Sequence, residues 1–405
     1  MNRIPFAERL LLASTTLFLA VAPFTSSAGW RAATLIAASG SALYLIARGA
    51  LAVPRPLPRA LLVALAAWCA LAIASLAWSV DRAFTLGELR AQLLYGVLAF
   101  GAFYVAADPG RWRLWWKAML ACALVLLAAE EAREKVEPLL GLREWNGGGG
   151  AFSTHLVILA PLLLPLAWPT EDGSRRPNAI FVLALAVLFY AAWRTENRIV
   201  WLAFLVAYLT AALAHHFSPE WRPRFNGARY VLATGVVAIV VLAGFTAHYR
   251  APPEDAGRIL PLAGIEADLR PKIWTIAIER IAEAPVLGHG YGREILASAF
   301  QGETPHYGHH PELRHAHNAF LDVALQLGLA GEAIFLAILA ILVVEFARAL
   351  RRPETCPAGI LGLAVIGGFM TKNLTDDFFY RQNGMVFWAV MGMLLGLTRL
   401  RAPRG

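Results

Sequence analysis

Residues 60–78, ALLVALAAWCALAIASLAW, form an apolar stretch of 19 residues that contains no charged side chain. A helix needs about 20 such residues to cross the hydrocarbon core of a bilayer. The rest of the chain has the same character, since 58% of its 405 residues are hydrophobic and only 16% are charged. Charged residues normally make up about a quarter of a soluble domain. The composition therefore excludes a soluble globular protein and predicts a polytopic membrane protein.

The full sequence contains twelve apolar runs, each of about 16 to 20 residues. Because lipid offers the backbone no hydrogen-bond partners, spans of this length predict an all-α integral membrane protein of about 12 transmembrane helices. The runs cover 10–26, 30–47, 60–78, 89–107, 114–130, 151–168, 179–193, 199–214, 230–248, 330–347, 358–374 and 384–398.

The distribution of positive charge predicts the topology. If the N-terminus is cytoplasmic, 19 Lys and Arg residues fall on the inner side, against 10 in the short outer loops and helix ends. The positive-inside rule then places both termini in the cytoplasm. We expect spans 1 to 9 within 1–248, a periplasmic loop domain at 249–317, and spans 10 to 12 within 318–405.

The first run also has features of a signal peptide, because Arg3 and Arg9 precede it and it ends in Ser26, Ser27 and Ala28. A second span follows almost at once, and cleavage would invert the charge asymmetry of every later loop. Both observations favour an uncleaved first span.

The long loop at 249–317 is the one connection of its length, and such loops in compact bundles are usually functional. Within it, Pro271 and the helical spacing of Ile273, Ile276 and Ala277 predict an amphipathic helix over 271–284.

Two groups of cations are candidate anion sites. Arg194 and Arg198 flank a very short turn between spans, where charge at membrane depth is expensive and often functional. Arg270 and Lys272 surround the start of the amphipathic helix, where backbone amides and cations together favour an anion. The alternatives are arginines that snorkel to the interface and a solvated charge cluster.

Five of the ten histidines lie within twelve positions, at His306, His309, His310, His315 and His317. Three interpretations remain open: a metal site, a general base that accepts a proton from a hydroxyl, and histidines satisfied in a packed loop. Their spacing matches no structural zinc motif.

A polar segment at 376–383 lies on the same outer side and contains Asp376, Asp377 and Arg381. Its carboxylates are candidates to orient a histidine or to bind sugar hydroxyls. An exposed polar turn is the alternative.

Six segments distributed over most of the chain resemble the motifs of one family. They are SLAWSVD at 75–81, NRIVWLA at 197–203, RPKIW at 270–274, PVLGHGYG at 285–292, HAHNAFLD at 315–322 and QLGLAG at 326–331. With these motifs the chain resembles the O-antigen ligase family (WaaL), within the group that also contains O-antigen polymerases and bacterial O-oligosaccharyltransferases.

The resemblance implies about twelve spans, a large periplasmic loop, and a histidine and two arginines essential for transfer. Those roles fall on His317, Arg198 and Arg270. His317 is preferred to His315 because the His-Asn-x-x-Leu pattern follows it. Relatives usually carry Ser-Arg-Gly where this chain has Asn197, Arg198 and Ile199, so the arginine is kept while its neighbours differ. Further substrate-binding residues are expected at Arg194, Lys272, His289, His315, Asn318, Asp377 and Arg381.

The implied function is an inverting glycosyltransferase of lipopolysaccharide biosynthesis in the bacterial inner membrane, with its active site on the periplasmic side. Its donor is polysaccharide on undecaprenyl diphosphate and its acceptor is a sugar hydroxyl of lipid A-core. No metal, nucleotide or other cofactor is expected, and no nucleic acid. An O-antigen polymerase or O-oligosaccharyltransferase of the same group would use the same chemistry. A lipid or solute transporter is the non-enzymatic alternative, which the long outer loop disfavours.

Overall fold

A computed structural model describes residues 3–24, 26–51, 53–140, 149–166, 168, 178–195, 197–219, 270–299 and 314–400. Over these residues all regular secondary structure is helical, in agreement with the predicted all-α class. Two short 3₁₀ turns cover Ser75–Ala77 and Leu164–Leu166, and a π-helical segment covers Leu89–Leu94. The α-helices are α1 (Arg3–Val21), α2 (Ala28–Ala47), α3 (Arg59–Ala74), α4 (Arg82–Glu88), α5 (Tyr95–Val105), α6 (Pro109–Leu140), α7 (Gly149–Leu162), α8 (Asn178–Arg194), α9 (Ile199–Phe217), α10 (Arg270–Glu283), α11 (Ile295–Ala299), α12 (Ala319–Ala349), α13 (Cys356–Lys372) and α14 (Arg381–Thr398).

Six of the described helices are long and apolar enough to cross a membrane, namely α2, α3 with its 3₁₀ extension, α6, α7, α9 and α12. Helices α8 and α13 are apolar but shorter. Large apolar side chains such as Leu43, Val63 and Leu183 are exposed on the bundle surface, as expected for a protein surrounded by lipid. The run at 230–248 lies outside the described residues, so the count of twelve spans remains a prediction.

Helix α13 lies at the centre of the bundle, where it packs against α7, α9, α12 and α14. Its contact with α9 is close because Gly368 faces Ala207, and small residues allow helix backbones to approach in a membrane. The remaining helices pack as α14 on α5, α1 on α2 and α6, and α3 on α12. The N-termini of α12 and α14 and the C-terminus of α13 therefore meet at one end of the bundle.

Helix α12 is interrupted at Gly328, which adopts φ 65° and ψ −170°. The interruption exposes backbone groups that a neighbouring segment satisfies: the amide of Leu329 donates to Pro285 O at 2.8 Å, and the amide of His289 donates to Leu325 O at 2.9 Å. A broken helix at membrane depth is tolerated where neighbouring groups supply such partners. The sequence placed this span at 330–347, whereas the helix begins eleven residues earlier, because residues before the break continue it into the polar end.

The break requires glycine, and we expect Gly328→Ala to destabilise the protein strongly. The backbone angles lie in a region that is essentially restricted to glycine and costs other residues about 1–3 kcal/mol. A Cβ atom would also overlap the carbonyl of Val286. Gly40→Ala in α2 is the matched control, because a Cβ there meets nothing within 4 Å. Thermal unfolding in detergent checks the prediction, and equal melting temperatures for the two variants would contradict it.

Candidate active site

The segment at 75–81 supports the glycine-rich loop at 288–292 at the polar end of the bundle. The amide of Tyr291 donates to Ser75 Oγ at 3.1 Å, and the amide of Val80 donates to a carbonyl of the loop at 3.0 Å. Two motifs that are more than 200 positions apart in sequence therefore form one structural unit. The glycine-rich loop also contacts the break in α12, because the amides of His289 and Gly290 donate to the carbonyls of Leu325 and Gln326.

Helix α10 confirms the predicted amphipathic helix within one residue at each end. Ile273 and Ala277 are fully buried beneath it. Trp274 Nε1 donates to the carbonyl of Ala316 at 2.8 Å. The helix therefore contacts the turn that carries His315 and His317. The other three clustered histidines, His306, His309 and His310, lie outside the described residues.

His317 occupies a strained backbone conformation, with φ at 50°. Non-glycine residues in this region cost about 1–3 kcal/mol and are concentrated at functional sites. The conformation is held locally, because the amide of His317 donates to His315 Nδ1 at 3.2 Å and the two rings lie 4.0 Å apart between centroids. The chain turns sharply here before Asn318 caps α12.

Asp376 connects His317 to a buried lysine. One carboxylate oxygen lies 3.3 Å from His317 Nδ1, and the other accepts from Lys372 Nζ at 3.2 Å. Burial opposes ionisation of this carboxyl, but the charge of Lys372 and the hydrogen bond from His317 outweigh burial and hold the pKa of Asp376 well below its ordinary value. Asp376 is therefore an anion that favours a proton on Nδ1 of the imidazole.

This arrangement leaves Nε2 of His317 as the nitrogen that can accept a proton. Within the part of the chain that the structure describes, Nε2 has no hydrogen-bond partner. The His317 side chain is 23% exposed, so a substrate can reach it. A histidine oriented by a carboxylate at Nδ1 is the usual arrangement of a general base.

His315 lies deeper, with a residue exposure of 8%. Burial, with the nearby charge of Arg293, lowers the pKa of His315 well below its ordinary value, so its imidazole is neutral at neutral pH. Nδ1 accepts the amide of His317 and lies 3.6 Å from an oxygen of Asp322. These contacts give His315 a supporting position beneath His317.

His315, Asp322 and Asp377 bring possible metal-ligand atoms within 4.8 Å of one another. Arg293 donates to the backbone carbonyl of Asp377 at 2.5 Å, and its charge interacts with the carboxyl groups of both Asp322 and Asp377. His315 Nδ1 already accepts an amide. We therefore assign no metal to these residues.

An apolar cavity of about 330 Å³ lies between α3, α5, α12 and α14. Leu62 and Val97 line it and are about half exposed, so it reaches the bundle surface between α3 and α5. Its polar lining includes Arg293, Asp377 and Arg381. Because Arg293 and Asp377 also contact the histidine cluster, the cavity places a hydrocarbon-lined space beside the candidate base.

The predicted cations fall into different environments. Arg270 opens α10 and lies close enough to Lys372 for their two charges to interact. Arg198 is the N-cap residue of α9, as the sequence predicted, and it is exposed together with Lys272. Arg381 has φ at 40°, lies 51% exposed and pairs with Glu88 at 3.3 Å.

Three other predicted binding residues are engaged within the protein. Arg194 pairs with Glu131 of α6 at 2.5 Å. The ring of buried His289 contacts the carbonyl of Arg280 at 2.7 Å. Asn318 accepts the amides of the first turn of α12 and donates to a carbonyl after α13 at 2.9 Å. Their contacts hold helices together, and the structure does not place Arg194 or His289 among the contacts of His317.

Residues 179–336 match the family model described as O-antigen ligase, Wzy_C. The match covers 158 of the 405 residues of the chain, because it runs from 179 to 336 inclusive. The matched segment contains the histidine turn and α10, while Asp376 and Lys372 lie beyond its end. A comparison with curated proteins finds no match for the chain. The family match and the apolar helices together support a bacterial membrane protein related to the O-antigen ligase and polymerase group.

Sequence reasoning did not identify Lys372, Asp322 or Arg293 as parts of the site. Lys372 had a local signal, since it ends an apolar helix four residues before Asp376. The sequence left three interpretations of the segment at 376–383 open: an exposed turn, carboxylates that orient a histidine, and carboxylates that bind sugar hydroxyls. Asp376 and Asp377 are only 5% and 4% exposed, and Asp376 contacts His317.

We expect Lys372→Met to lower the free energy of unfolding by about 3–5 kcal/mol, the usual range for removing one partner of a buried ion pair. Lys372 is 0% exposed, and its loss leaves the buried Asp376 carboxylate without its cation. Exposed Lys117→Met is the matched control and should change stability little. Unfolding in detergent measures both, and recovery in the double variant with Asp376→Asn would assign the loss to the pair.

Proposed function

We propose that this protein is an O-antigen ligase that transfers polysaccharide from undecaprenyl diphosphate to a sugar hydroxyl of lipid A-core at the periplasmic face of the inner membrane. The observation that carries the proposal is the strained His317, which lies within the segment that matches the O-antigen ligase family and is oriented by ionised Asp376 beyond the end of that segment. The adjoining apolar cavity supports a lipid-linked substrate, because its lining suits a hydrocarbon chain.

In the proposed reaction, the acceptor hydroxyl oxygen attacks the anomeric carbon of the donor glycan. Nε2 of His317 accepts the hydroxyl proton as the new C–O bond forms. The bond from the anomeric carbon to the diphosphate oxygen breaks at the same time, and its electron pair leaves with undecaprenyl diphosphate. The proton then passes from the imidazolium to solvent or to the leaving diphosphate. A single displacement of this kind inverts the anomeric configuration.

Negative charge that develops on the diphosphate requires stabilisation. We assign this role to Arg198 and Arg270, both at helix N-termini, where the backbone amides add to the charge of the guanidinium. In a partly dehydrated cleft such contacts are stronger than in water. Two arginines can balance the diphosphate, and the reaction proposed here uses neither metal nor nucleotide.

Product analysis in proteoliposomes tests this assignment. Purified protein is given undecaprenyl-diphosphate-linked O-polysaccharide and lipid A-core, without nucleotide, in the presence of chelator. The proposal predicts larger lipid A-core glycolipids on a gel. Longer carrier-linked chains would instead show a polymerase, and restoration of transfer only by a divalent ion would contradict metal independence.

A further inference from the structure

Two buried carboxyl groups face each other beneath the histidine turn. Asp322 is 1% exposed and Asp377 is 4% exposed. One carboxylate oxygen of Asp322 lies within 4.8 Å of one of Asp377. Two carboxylates have only acceptor atoms and repel each other when buried this close, so the arrangement favours a proton on one of the pair.

The hydrogen bonds around the pair leave one carboxyl oxygen without a donor. Asp322 Oδ1 accepts the amide of Ala316 at 2.8 Å, and Asp377 Oδ1 accepts the amide of Phe379 at 3.0 Å. Among the described residues, Asp322 Oδ2 is buried and receives no hydrogen bond from a conventional donor. A proton held between the two carboxyl groups supplies the missing donor.

The charged and titratable groups that face the pair are few. Arg293 approaches from the segment before α11, His315 and His317 from the turn before α12, and Asp376 from the neighbouring position. Tyr291 of the glycine-rich loop also interacts electrostatically with Asp377. One guanidinium therefore faces two buried carboxyl groups. Burial, followed by the charge of Asp322, raises the pKa of Asp377 to about 7.

The pair is connected directly to the conformation of His317. Asp322 accepts a hydrogen bond from the amide of Ala316, and Trp274 donates one to the carbonyl of the same residue. His315, which lies 3.6 Å from Asp322, accepts the amide of His317. Repulsion between two carboxylates would therefore act on the residues that keep His317 at positive φ.

We infer that Asp322 and Asp377 share one proton and act as positioning residues that keep His317 in its active conformation. Loss of the proton separates the carboxyl groups and loosens the turn, so activity falls as pH rises. The tests that measure activity rest on the proposed function. The shared proton itself is measured by a test that needs no activity.

The first test compares the pH dependence of kcat in wild type and Asp377→Asn. The amide oxygen can still accept from Phe379, while its NH₂ donates permanently to Asp322. We expect the wild-type alkaline fall near pH 7 to disappear in the variant or to move up by about one pH unit or more, the usual size of such environmental shifts. Asp108→Asn is the matched control, because Asp108 is an exposed helix cap, and it should keep the wild-type profile. If kcat of Asp377→Asn falls at the same alkaline pH as kcat of wild type, the two carboxyl groups do not share a proton that controls activity.

The second test separates positioning from general folding. Asp322→Asn can accept from Ala316 and donate to Asp377, whereas Asp322→Ala can do neither. We expect the Asn variant to keep kcat within about tenfold of wild type and the Ala variant to lose about a hundredfold, with little change in KM, as for loss of an oriented general base. Equal activity of Asp322→Ala and wild type would overturn the positioning role.

A third measurement needs neither substrate nor turnover. Infrared spectra of the folded protein below pH 7 should contain a buried protonated-carboxyl band that Asp377→Asn removes. Because the folded protein holds a proton that free aspartate loses near pH 4, stability should fall as pH rises from about 4 to about 7, and this slope should weaken in the variant. If wild type shows no transfer activity but has the band, the proposed function fails and the shared proton stands. If the band is absent, the inference fails whatever the activity.

Discussion

His317→Ala is expected to lower the turnover of glycan transfer by about a hundredfold to ten-thousandfold, the range over which general bases contribute. The structure gives the reason: Asp376 orients the ring through Nδ1, and Nε2 is the nitrogen that remains to accept the acceptor proton. Because the side chain is partly exposed, its removal should leave folding and substrate affinity nearly unchanged. Initial rates at saturating donor and acceptor, with melting temperatures in parallel, measure the effect.

A histidine at the other end of the bundle controls for the loss of an imidazole. His216 lies in the last turn of α9, opposite the end at which α9 begins near the site. His216→Ala should transfer glycan at about the wild-type rate. Wild-type turnover by folded, monodisperse His317→Ala would contradict the role of His317 as the general base. If only His315→Ala loses turnover, His315 is the general base instead.

Arg270→Gln should lower kcat by about a hundredfold to a thousandfold, as expected when one donor to developing charge is removed. Arg270 stands at the N-terminus of α10, and its charge acts on Lys372, which pairs with Asp376. Arg270→Lys keeps the charge but loses the planar pair of donors that matches a phosphate, so we expect an intermediate rate. Rate measurements with fixed amounts of donor and acceptor compare the three proteins.

Arg280→Gln provides the control on the same helix. Arg280 lies in the last turn of α10 and forms an i,i+3 ion pair with Glu283 at 2.5 Å. Its replacement should change transfer by less than about twofold, since surface ion pairs contribute little. Similar losses in Arg280→Gln and Arg270→Gln would show that α10 needs its charges for folding and not for catalysis.

The helices were predictable from sequence because apolar length is a local property. Eleven of the twelve predicted runs coincide with helices of the described residues, and the other, at 230–248, lies outside them. The amphipathic helix and the position of Arg198 also followed from local signals. The break at Gly328 did not, because one glycine in an apolar run gives no sign of the carbonyls that approach it.

The site was predictable only in part because its contacts join distant segments. The histidine turn and α10 lie in motifs that sequence can identify. Asp376 meets His317 across 59 positions, and Arg293 meets Asp377 across 84. Burial also argues against the exposed turn that was one expectation for the polar segment after α13, since Asp376 and Asp377 of this segment are buried. Such pairings depend on helix packing, which a single sequence does not specify.

The most direct test of the account measures the carrier released by the wild-type protein. Proteoliposomes receive labelled undecaprenyl-diphosphate-linked polysaccharide, with or without lipid A-core, and mass spectrometry counts free undecaprenyl diphosphate and modified lipid A-core. Glycan transfer to lipid A-core predicts equal amounts of the two products, formed only when the acceptor is present. Movement of intact donor across the bilayer without carrier release would contradict glycan transfer and support a transporter.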